Sequence, residues 1–245
     1  PGDVAVLGVC QDSRCVRPGD LFLAWKGTSV DAHDHVAAAA RAGAVAAVVE
    51  RPVDAPVPQL VVSDGRSAGA VAAQTVFGNP SREVFLVGVT GTNGKTTTAV
   101  LIRHLLAARG KAAAVGTLGL VDADGVRPGT EGLTTPGPVQ LASWLRQLAD
   151  EGVASVAMEA SSHALEQRRL EGVRFAAGVF TNLTQDHLDY HPDLEAYFAA
   201  KARLVSLVDA DGWLLVNRDD PSWDALDPAG RRVRTLLRGE EAGSG

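Results

Sequence analysis

The residue pattern with the clearest chemistry lies at residues 91–97, which read GTNGKTT. Gly91 and Gly94 can adopt backbone angles that other residues avoid, so main-chain N–H groups can converge on an anion without a Cβ in the way. Lys95 adds a positive charge, and the hydroxyl of Thr96 is an oxygen donor of the kind that binds Mg²⁺. The segment predicts a cradle for the phosphates of a nucleoside triphosphate.

A predicted strand and a predicted helix position this turn. Residues 84–89 read VFLVGV, as expected for a strand that is buried on both faces of a parallel sheet. The helix predicted over 97–110 points its positive end at the same anion. The spacing departs from the general P-loop pattern, because Val89 stands five residues before Gly94 where that pattern has glycine. An ordinary strand, turn and helix is the alternative, and Gly-Lys-Thr directly after a buried strand disfavours it.

Candidate metal ligands follow two later predicted strands. The apolar strand over 153–158 leads directly into Glu159, so we expect this carboxylate at the sheet edge where α/β folds bind ligands, as a candidate for magnesium. The strand over 173–180 leads into TNLTQDHLDYH at 181–191, whose histidines and aspartates indicate metal or phosphate chemistry. Oxygen donors predominate there and no cysteine is near, which favours magnesium over zinc. His187 is the candidate histidine ligand.

Lys201 is the least expected residue of the helix predicted over 193–208. It falls on one stripe with Leu194, Tyr197 and Leu204 at helical spacing, so its neighbours are apolar. A buried ammonium is costly unless it is paired or neutralised. The side chain either reaches solvent or a carboxylate, or burial favours the neutral amine, which can add carbon dioxide and become an anionic carbamate ligand for magnesium. The sequence leaves both open.

Composition limits the class of protein and its partners. A length of 245 residues suits two domains, and a net charge of −6 disfavours a nucleic-acid partner. No apolar run reaches membrane-spanning length, so membrane insertion is not expected. Cys10 and Cys15 are the only cysteines, which favours free thiols in a reducing compartment and predicts a cytoplasmic protein. Because position 1 is not methionine, we expect a piece of a longer protein.

Alternating strand and helix patterns predict an α/β fold in two domains. Residues 1–82 form the first, with strands and helices predicted over 4–9, 21–25, 34–42, 44–50, 59–63 and 66–77. The turn-rich sequence GNPSRE at 78–83 predicts the linker. Residues 83–245 form the second, with further strands and a helix predicted over 112–118, 136–149 and 212–217.

Longer motifs carry a family resemblance. In chain order they read DSRCVRPGDLFLAWKG at 12–27, VTGTNGKTTT at 89–98, LTTP at 133–136, MEASSHALEQRRL at 158–170, FTNLTQDHLDYH at 180–191 and YFAAK at 197–201. They resemble the Mur ligases of peptidoglycan synthesis, and within that family the MurE ligases most closely. The resemblance implies a small uridine-binding α/β domain followed by a P-loop type, mostly parallel-sheet ATPase domain. That second domain would be incomplete, because the family continues with more of the sheet and a C-terminal domain.

The resemblance also implies roles for individual residues. The uridine diphosphate end of the substrate would be held by Gln11, Ser13, Thr28, Ser29 and Val30, and its sugar and peptide part by Leu133, Thr134, Thr135, Ser161, Gln167 and Arg169. The ATP phosphates would be held by Gly91, Thr92, Asn93, Gly94, Lys95, Thr96 and Thr97. Two departures weaken one substrate contact each: Leu133 stands where the family often has asparagine, and Cys15 where a basic residue is common.

Two magnesium ions and a catalytic set are implied in the same way. Thr96 would bind one ion, and Glu159, His187 and Lys201 would surround the second, with Lys201 as its carbamate. Lys95, Lys201, Glu159 and His187 would be the catalytic residues.

The reaction implied is the ATP-dependent addition of a diamino acid to UDP-N-acetylmuramoyl-L-alanyl-D-glutamate. The γ-phosphoryl group moves to the D-glutamyl side-chain carboxylate, and the incoming amine attacks the acyl phosphate to give an amide, ADP and inorganic phosphate. Diaminopimelate, lysine and ornithine are the candidate amino acids, and the sequence does not choose among them. We expect a monomer.

Three alternatives stay open. A folylpolyglutamate synthetase shares the nucleotide loop, a similar lysine and the amide-forming chemistry, but it resembles only the second domain. A MurF ligase shares the opening motif and fits the HLDYH region less well. The alternative from another class is a nucleotide-binding module without catalysis.

Overall fold

A computed structural model of the chain describes residues 4–27, 30–129, 132–184 and 190–236. The chain forms two compact units. Unit 1 comprises Pro1–Pro80, Gly137–Gln147 and Arg168–Val173, and unit 2 comprises Ser81–Pro136, Leu148–Gln167 and Arg174–Gly245. Both units are α/β, as the alternating sequence patterns predict. The domain limits at 1–82 and 83–245 stay a prediction.

Unit 1 is built on a parallel four-stranded sheet whose strand order follows the chain. The strands are β1 (Gly8–Cys10), β2 (Asp20–Leu23), β3 (Ala46–Val49) and β4 (Gln59–Val61), and its helices include α1 (Val36–Ala42) and α2 (Gly65–Val76). Neighbouring residues of β2 enter different apolar clusters, Phe22 with Val36 and Leu23 with Ala73. Because strand side chains alternate between faces, this sheet is covered on both sides.

The first strand of unit 1 is shorter than the prediction over 4–9. It covers only Gly8–Cys10, and Val4 and Leu7 are 41% and 79% exposed. Leu7 donates its N–H to the carbonyl of Gly19 at 2.9 Å, so the segment is tied to a turn instead of extending the sheet. The apolar residue types there misled the prediction, because the fold does not cover them.

Unit 2 is built on an eight-stranded sheet in the order β12-β11-β10-β5-β9-β6-β7-β8. The strands are β5 (Phe85–Thr90), β6 (Ala112–Gly116), β7 (Gly119–Asp122), β8 (Gly125–Arg127), β9 (Ser155–Glu159), β10 (Phe175–Phe180), β11 (Val208–Asn217) and β12 (Arg232–Leu236). All neighbours pair in parallel except β6, β7 and β8, which form an antiparallel meander. The predicted, mostly parallel sheet is therefore confirmed.

The remaining helices are α3 (Lys95–Leu106), α4 (Pro138–Asp150), α5 (Ser162–Glu166) and α6 (Leu194–Leu207). Side chains cap two of them: Ser161 accepts the N–H of Ala164 before α5, and Asp193 accepts the N–H of Ala196 before α6. Helix α3 ends four residues before the predicted limit and continues as a 3-10 turn over Ala107–Arg109. Within the described ranges, every helix is too short or too polar to span a bilayer.

Three strands of unit 2 are absent from the prediction. Strands β7 and β8 form a short hairpin, and every residue of β12 is exposed. Such strands lack the apolar runs by which buried parallel strands are recognised, so the prediction missed them. They form because they pair with a neighbouring strand. The predicted strand over 112–118 ends at Gly116 for a related reason, because the chain turns there into the hairpin.

Candidate functional site

The glycine turn joins β5 to α3 in the conformation that the sequence predicts. Gly91 and Gly94 have φ angles of 146° and 82°, which favour glycine. A Cβ on Gly91 would clash with the hydroxyl of Thr181, so this position has no room for a side chain. Gly94 is the residue directly before α3, which places the positive helix end at the turn.

Residues 181–184, which follow β10, hold the turn in place. Asn182 accepts the N–H of Thr92 on its carbonyl at 2.7 Å and the N–H of Asn93 on its side chain at 2.9 Å. Thr181 donates its hydroxyl to the Asn93 carbonyl at 2.8 Å, and the hydroxyl of Thr92 lies 2.9 Å from the N–H of Thr184. The N–H groups of Thr92 and Asn93 are thus bonded within the chain. An anion at the turn would therefore meet the N–H groups of the first turn of α3.

Two lysines converge on the carbonyl of Gly91. The ammonium of Lys95 donates to this oxygen at 3.0 Å and to the Thr92 carbonyl at 2.7 Å. Lys201, from α6, donates to the same Gly91 oxygen at 2.7 Å. The structure therefore brings together two cations that stand 106 positions apart in the sequence.

Lys201 is only 1% exposed, so the alternative in which its side chain reaches solvent is wrong. Its ammonium lies 4.3 Å from the centre of the Tyr197 ring, close enough for a cation–π contact. Tyr197 lies one helical turn before Lys201 on α6 and donates its hydroxyl to Thr92 at 3.3 Å. The helix thus brings a buried ammonium and a tyrosine to the underside of the glycine turn.

Glu159 ends β9 and is 2% exposed. Its Oε1 accepts the hydroxyl of Thr96 at 2.9 Å and the N–H of Thr117 at 2.8 Å. The Thr117 hydroxyl lies 3.4 Å from Oε2. A Cβ on Gly116, the last residue of β6, would clash with the carboxylate. Gly116 and Thr117 therefore form the seat of the Glu159 carboxylate.

The oxygens of Thr96 and Glu159 fit Mg²⁺, which prefers carboxylate and hydroxyl donors. Of the other two predicted ligands, His187 lies outside the described residues. In the part of the chain that the structure describes, no three His, Cys, Asp or Glu side chains form a metal-binding group. Of the predicted ligands that the structure describes, Thr96 and Glu159 are bonded to each other, and Lys201 is bonded to the Gly91 carbonyl.

A second group of predicted residues lies beyond Glu159. The buried hydroxyl of Thr135 donates to the Glu159 carbonyl at 2.8 Å and lies 3.1 Å from the Ser161 hydroxyl. Gln167 donates its side-chain amide to the Tyr190 hydroxyl at 3.0 Å. Of their neighbours, Thr134 is half-buried, Leu133 is 36% exposed and Thr97 is exposed on α3.

The predicted uridine residues that the structure describes line one cavity of unit 1, about 750 Å³ in volume. Gln11, Ser13 and Val30 line it together with Trp25. Thr28 and Ser29 lie outside the described residues, and Arg169 lies in the Arg168–Val173 segment of unit 1.

An ion pair lies on the wall of this cavity. Arg14 donates to both carboxylate oxygens of Asp12, and these hydrogen bonds lower the pKa of Asp12 to about 2. Asp12 therefore remains ionised and neutralises Arg14 at neutral pH. The pair offers a ligand donor groups with little net charge.

Comparison with known proteins decides the family. Residues 89–243 match the model of the Mur ligase middle domain, and residues 6–83 match the model of the Mur ligase family catalytic domain. The chain belongs to the Mur ligase family. The resemblance of its motifs to Mur ligases is thereby confirmed.

Named Mur ligases are similar over almost the whole chain. The UDP-N-acetylmuramoyl-L-alanyl-D-glutamate–2,6-diaminopimelate ligase of Geobacter metallireducens is 48% identical over 225 residues, covering 88% of this chain and 44% of the relative. The same ligase of Agrobacterium fabrum is 45% identical over 246 residues, covering 97% and 49%. A solved structure of such a ligase superposes with a TM-score of 0.83 at 31% identity, covering 97% and 49%. The chain thus spans about half the length of the relatives it matches.

Sequence reasoning missed several residues of this Mur ligase site. Thr117 holds Glu159, and Asn182 and Thr184 hold the glycine turn. A signal existed for both: polar residues directly after buried strands, where a parallel sheet gathers its ligand-binding loops. Tyr197 was assigned only to an apolar stripe, yet its hydroxyl reaches the turn.

Proposed function

We propose that this chain is the nucleotide-binding and UDP-binding part of an ATP-dependent ligase that extends UDP-N-acetylmuramoyl-L-alanyl-D-glutamate by one diamino acid. The convergence of Lys95, Lys201 and the Thr96–Glu159 pair around the glycine turn carries this proposal. The printed names of the relatives favour 2,6-diaminopimelate as the amino acid. We also propose that the full-length ligase is a cytoplasmic monomer that makes a peptidoglycan precursor.

Lys95 would hold the γ-phosphate. Its ammonium is bonded to two neutral carbonyls of its own loop, those of Gly91 and Thr92. Exchanging a carbonyl for a phosphate oxygen gives a charge-assisted hydrogen bond, which is roughly twice as strong as a neutral one. Lys95 therefore gains by turning toward an incoming triphosphate.

Thr96 and Glu159 would hold a magnesium ion, which when bound neutralises phosphate charge during transfer. The carboxylate is preorganised by the N–H of Thr117, so it needs no rearrangement when the ion arrives. The Thr96 hydroxyl, now donated to Glu159, would turn its oxygen toward the ion.

Lys201 would act as a carbamate near a second magnesium ion, which His187 would also bind. Addition of carbon dioxide to the neutral amine forms an N–C bond and releases one proton. The carbamate nitrogen keeps one N–H, which can still donate to the Gly91 carbonyl that the amine now contacts. Tyr197, packed under the amine, fixes where the new carboxylate would form.

The chemical steps follow from this placement. Phosphoryl transfer depends mainly on positioning and charge stabilisation, which the rigid turn and the ammonium of Lys95 would supply. The γ-phosphoryl group would move to the D-glutamyl carboxylate, and the amine of the diamino acid would then displace phosphate from the acyl phosphate. Thr134, Ser161 and Gln167 would hold the peptide that carries this carboxylate.

The unit 1 cavity would take the uridine diphosphate. Trp25 offers an aromatic wall for the uracil ring, and Gln11 and Ser13 offer hydrogen bonds. Binding of UDP is therefore expected to change tryptophan fluorescence, and Trp25→Phe is expected to remove that change.

The deciding experiment measures ADP release by the full-length ligase that contains this chain. Release should require UDP-N-acetylmuramoyl-L-alanyl-D-glutamate and be stimulated by 2,6-diaminopimelate more than by lysine or ornithine. Lys201→Ala should lose at least a hundredfold in rate, with partial recovery in added formate if a carbamate is the missing group. Lys111→Ala is the matched control, because it removes one charge at an exposed site, where the ammonium donates to the Glu151 backbone carbonyl.

Two outcomes would contradict the proposal. ADP release that ignores the UDP-linked peptide would remove the assigned substrate. A Lys201→Ala enzyme with wild-type rate in carboxylate-free buffer would remove the carbamate.

A further inference from the structure

A cavity of about 470 Å³ lies at the amino ends of β5, β10 and β11, and the residues that line it belong to unit 2. The glycine turn lies at the other, carboxyl end of β5. This strand has six residues, so at about 3.3 Å per residue the two places are roughly 20 Å apart. The cavity is therefore separate from the nucleotide site, and it shares no lining residue with the unit 1 cavity.

A bulge in the sheet shapes this amino-end cavity. The pairing register of β10 with β11 shifts after Phe175, and residues 209–212 of β11 stand opposite the single residue Ala176. A Cβ on Gly212 would lie 2.8 Å from the Ala176 carbonyl oxygen, so the extra residues fold back closely onto β10. Bulges are frequent beside functional sites, where they redirect a side chain. Here the bulge brings Asp209 to the cavity wall.

Three side chains offer hydrogen-bond donors at this cavity. Arg82 and Arg174 are exposed, and among the residues that the structure describes no group bonds either guanidinium. The hydroxyl of Ser81 accepts the Arg174 N–H at 3.3 Å, and its own proton has no acceptor in the described ranges. Ser81 is only 2% exposed, so its hydroxyl faces the cavity instead of bulk water. A buried donor without an acceptor costs free energy, which an oxygen of a ligand would recover.

The charges at the cavity favour a phosphate ester over a bare anion. Two guanidiniums face one carboxylate, so the net charge of the lining attracts an anion. Guanidinium donors match the oxygens of a phosphate, and the Ser81 hydroxyl can serve a further oxygen. Asp209 would repel a bare phosphate, but it can accept hydrogen bonds from hydroxyl groups. The volume lies within the range of about 300 to 1,000 Å³ that is common for small-molecule sites, which leaves space for more than a phosphate.

We propose that this cavity binds a sugar phosphate, with the phosphate at Arg82, Arg174 and Ser81 and a sugar hydroxyl at Asp209. The site goes beyond the proposed function and does not depend on it, because it lies at the opposite edge of the sheet from the glycine turn.

Calorimetry on the full-length ligase that contains this chain tests the phosphate contacts. Ribose 5-phosphate is the titrant, and excess ADP, Mg²⁺ and UDP occupy the glycine turn and the unit 1 cavity. Arg82→Gln and Arg174→Gln should each raise the dissociation constant of ribose 5-phosphate at least fivefold, because each removes a charged donor. Arg109→Gln is the matched control with an expected change below twofold, because Arg109 is exposed in unit 2 and does not line the cavity.

A further variant tests the sugar contact. Asp209→Asn should weaken ribose 5-phosphate at least threefold, because a neutral amide is a poorer acceptor than a carboxylate. It should leave inorganic phosphate equally or more tightly bound, because the repelling charge is gone. Asp211→Asn is the control, since Asp211 is an exposed residue of the same bulge and does not line the cavity.

Three outcomes would overturn this site. They are no binding of ribose 5-phosphate to the wild-type ligase, an equal effect of Arg174→Gln and Arg109→Gln, and wild-type affinity for ribose 5-phosphate in Asp209→Asn. Each would leave the proposed function standing, because ADP release that depends on the UDP-linked peptide is measured separately.

Discussion

The carbonyl oxygen of Gly91 accepts two ammonium groups, those of Lys95 and Lys201. Two like charges at one neutral acceptor repel each other, and the repulsion falls when an anion binds beside them. This is the physical reason to expect a polyphosphate ligand at the glycine turn.

Lys201→Met tests whether the buried lysine serves function at the expense of stability. Methionine has similar length and no charge to desolvate, so the free energy of unfolding should stay equal or rise by about 1 to 2 kcal/mol. ATP-dependent activity of the full-length ligase should be lost. Urea denaturation and ADP release measure the two effects, and Leu204→Met on the same helix is the control.

A loss of more than about 2 kcal/mol in Lys201→Met, as expected when a needed buried partner is removed, would show that the lysine is structural.

Gly116→Ala tests the seat of the Glu159 carboxylate. The added Cβ would displace the carboxylate from the Thr117 N–H and the Thr96 hydroxyl. We expect the Mg²⁺ concentration that half-saturates ATP binding to rise at least tenfold, with Mg²⁺-free binding of ATP nearly unchanged. Gly137→Ala is the matched control, since its Cβ would meet only the Gln11 side chain at 3.6 Å.

An unchanged Mg²⁺ requirement in Gly116→Ala would show that Glu159 does not bind the ion.

At the scale of elements, the loop after β10 is bonded to two other segments of unit 2, the glycine turn and the segment after β11. Asn182 and Thr184 bond the glycine turn, and Leu183 between them donates its N–H to Asp220 at 2.6 Å. Asp220 also begins the 3-10 turn Pro221–Ala225, where it accepts the N–H of Ser222. The loop that shapes the phosphate cradle thus depends on a carboxylate beyond the end of β11.

The hydrogen bond from the Leu183 N–H to Asp220, here called the tether, depends on pH. Burial raises the pKa of its carboxyl, but hydrogen bonds from Leu183 and Ser222 outweigh burial, and the net pKa is lowered. Because the folded pKa lies below the unfolded one, the stabilisation is fully present above the ordinary pKa of aspartate and is lost as pH falls through the folded value.

Asp220→Asn should therefore destabilise the chain by about 1 kcal/mol at neutral pH. The difference from wild type should vanish at pH values below the folded pKa of Asp220. Chemical denaturation at a series of pH values measures both quantities. Asp211→Asn, at an exposed position of β11, is the control, and an equal effect of both variants at all pH values would contradict the tether.

At the scale of the whole molecule, ligand binding and stability are linked. A ligand present at a hundred times its dissociation constant stabilises the folded state by about 2.7 kcal/mol. In a protein of about 150 to 250 residues, each kcal/mol raises the melting temperature by about 2 to 4 °C. ATP with Mg²⁺ should therefore raise the melting temperature of unit 2 by about 5 to 10 °C.

Trp213 and Trp223 lie in unit 2, and Trp25 and Trp144 lie in unit 1. A Trp25→Phe, Trp144→Phe double variant limits tryptophan fluorescence to unit 2 and follows its melting directly. Lys95→Ala in that background should lose most of the ATP-dependent shift, and an undiminished shift would show that ATP binds elsewhere.

Local patterns in the sequence determined much of this protein. The buried strand before Gly91, the helix after Gly94 and the carboxylate ending β9 follow from residue type and spacing alone, because strand burial and helix starts are short-range properties. The Mur ligase motifs were sufficient to identify the family. The exposed strand β12 and the hairpin of β7 and β8 escaped prediction, because neighbouring strands stabilise them.

Only the tertiary structure decided how the site is assembled. That Lys201 meets the Gly91 carbonyl, that Thr117 seats Glu159, and that residues 181–184 hold the glycine turn are contacts between segments far apart in the chain. The order of the strands in the sheet brings these segments together, and no local pattern encodes that order. The sequence identified the chemical groups of the site, and the order of the strands determined that they lie around one turn.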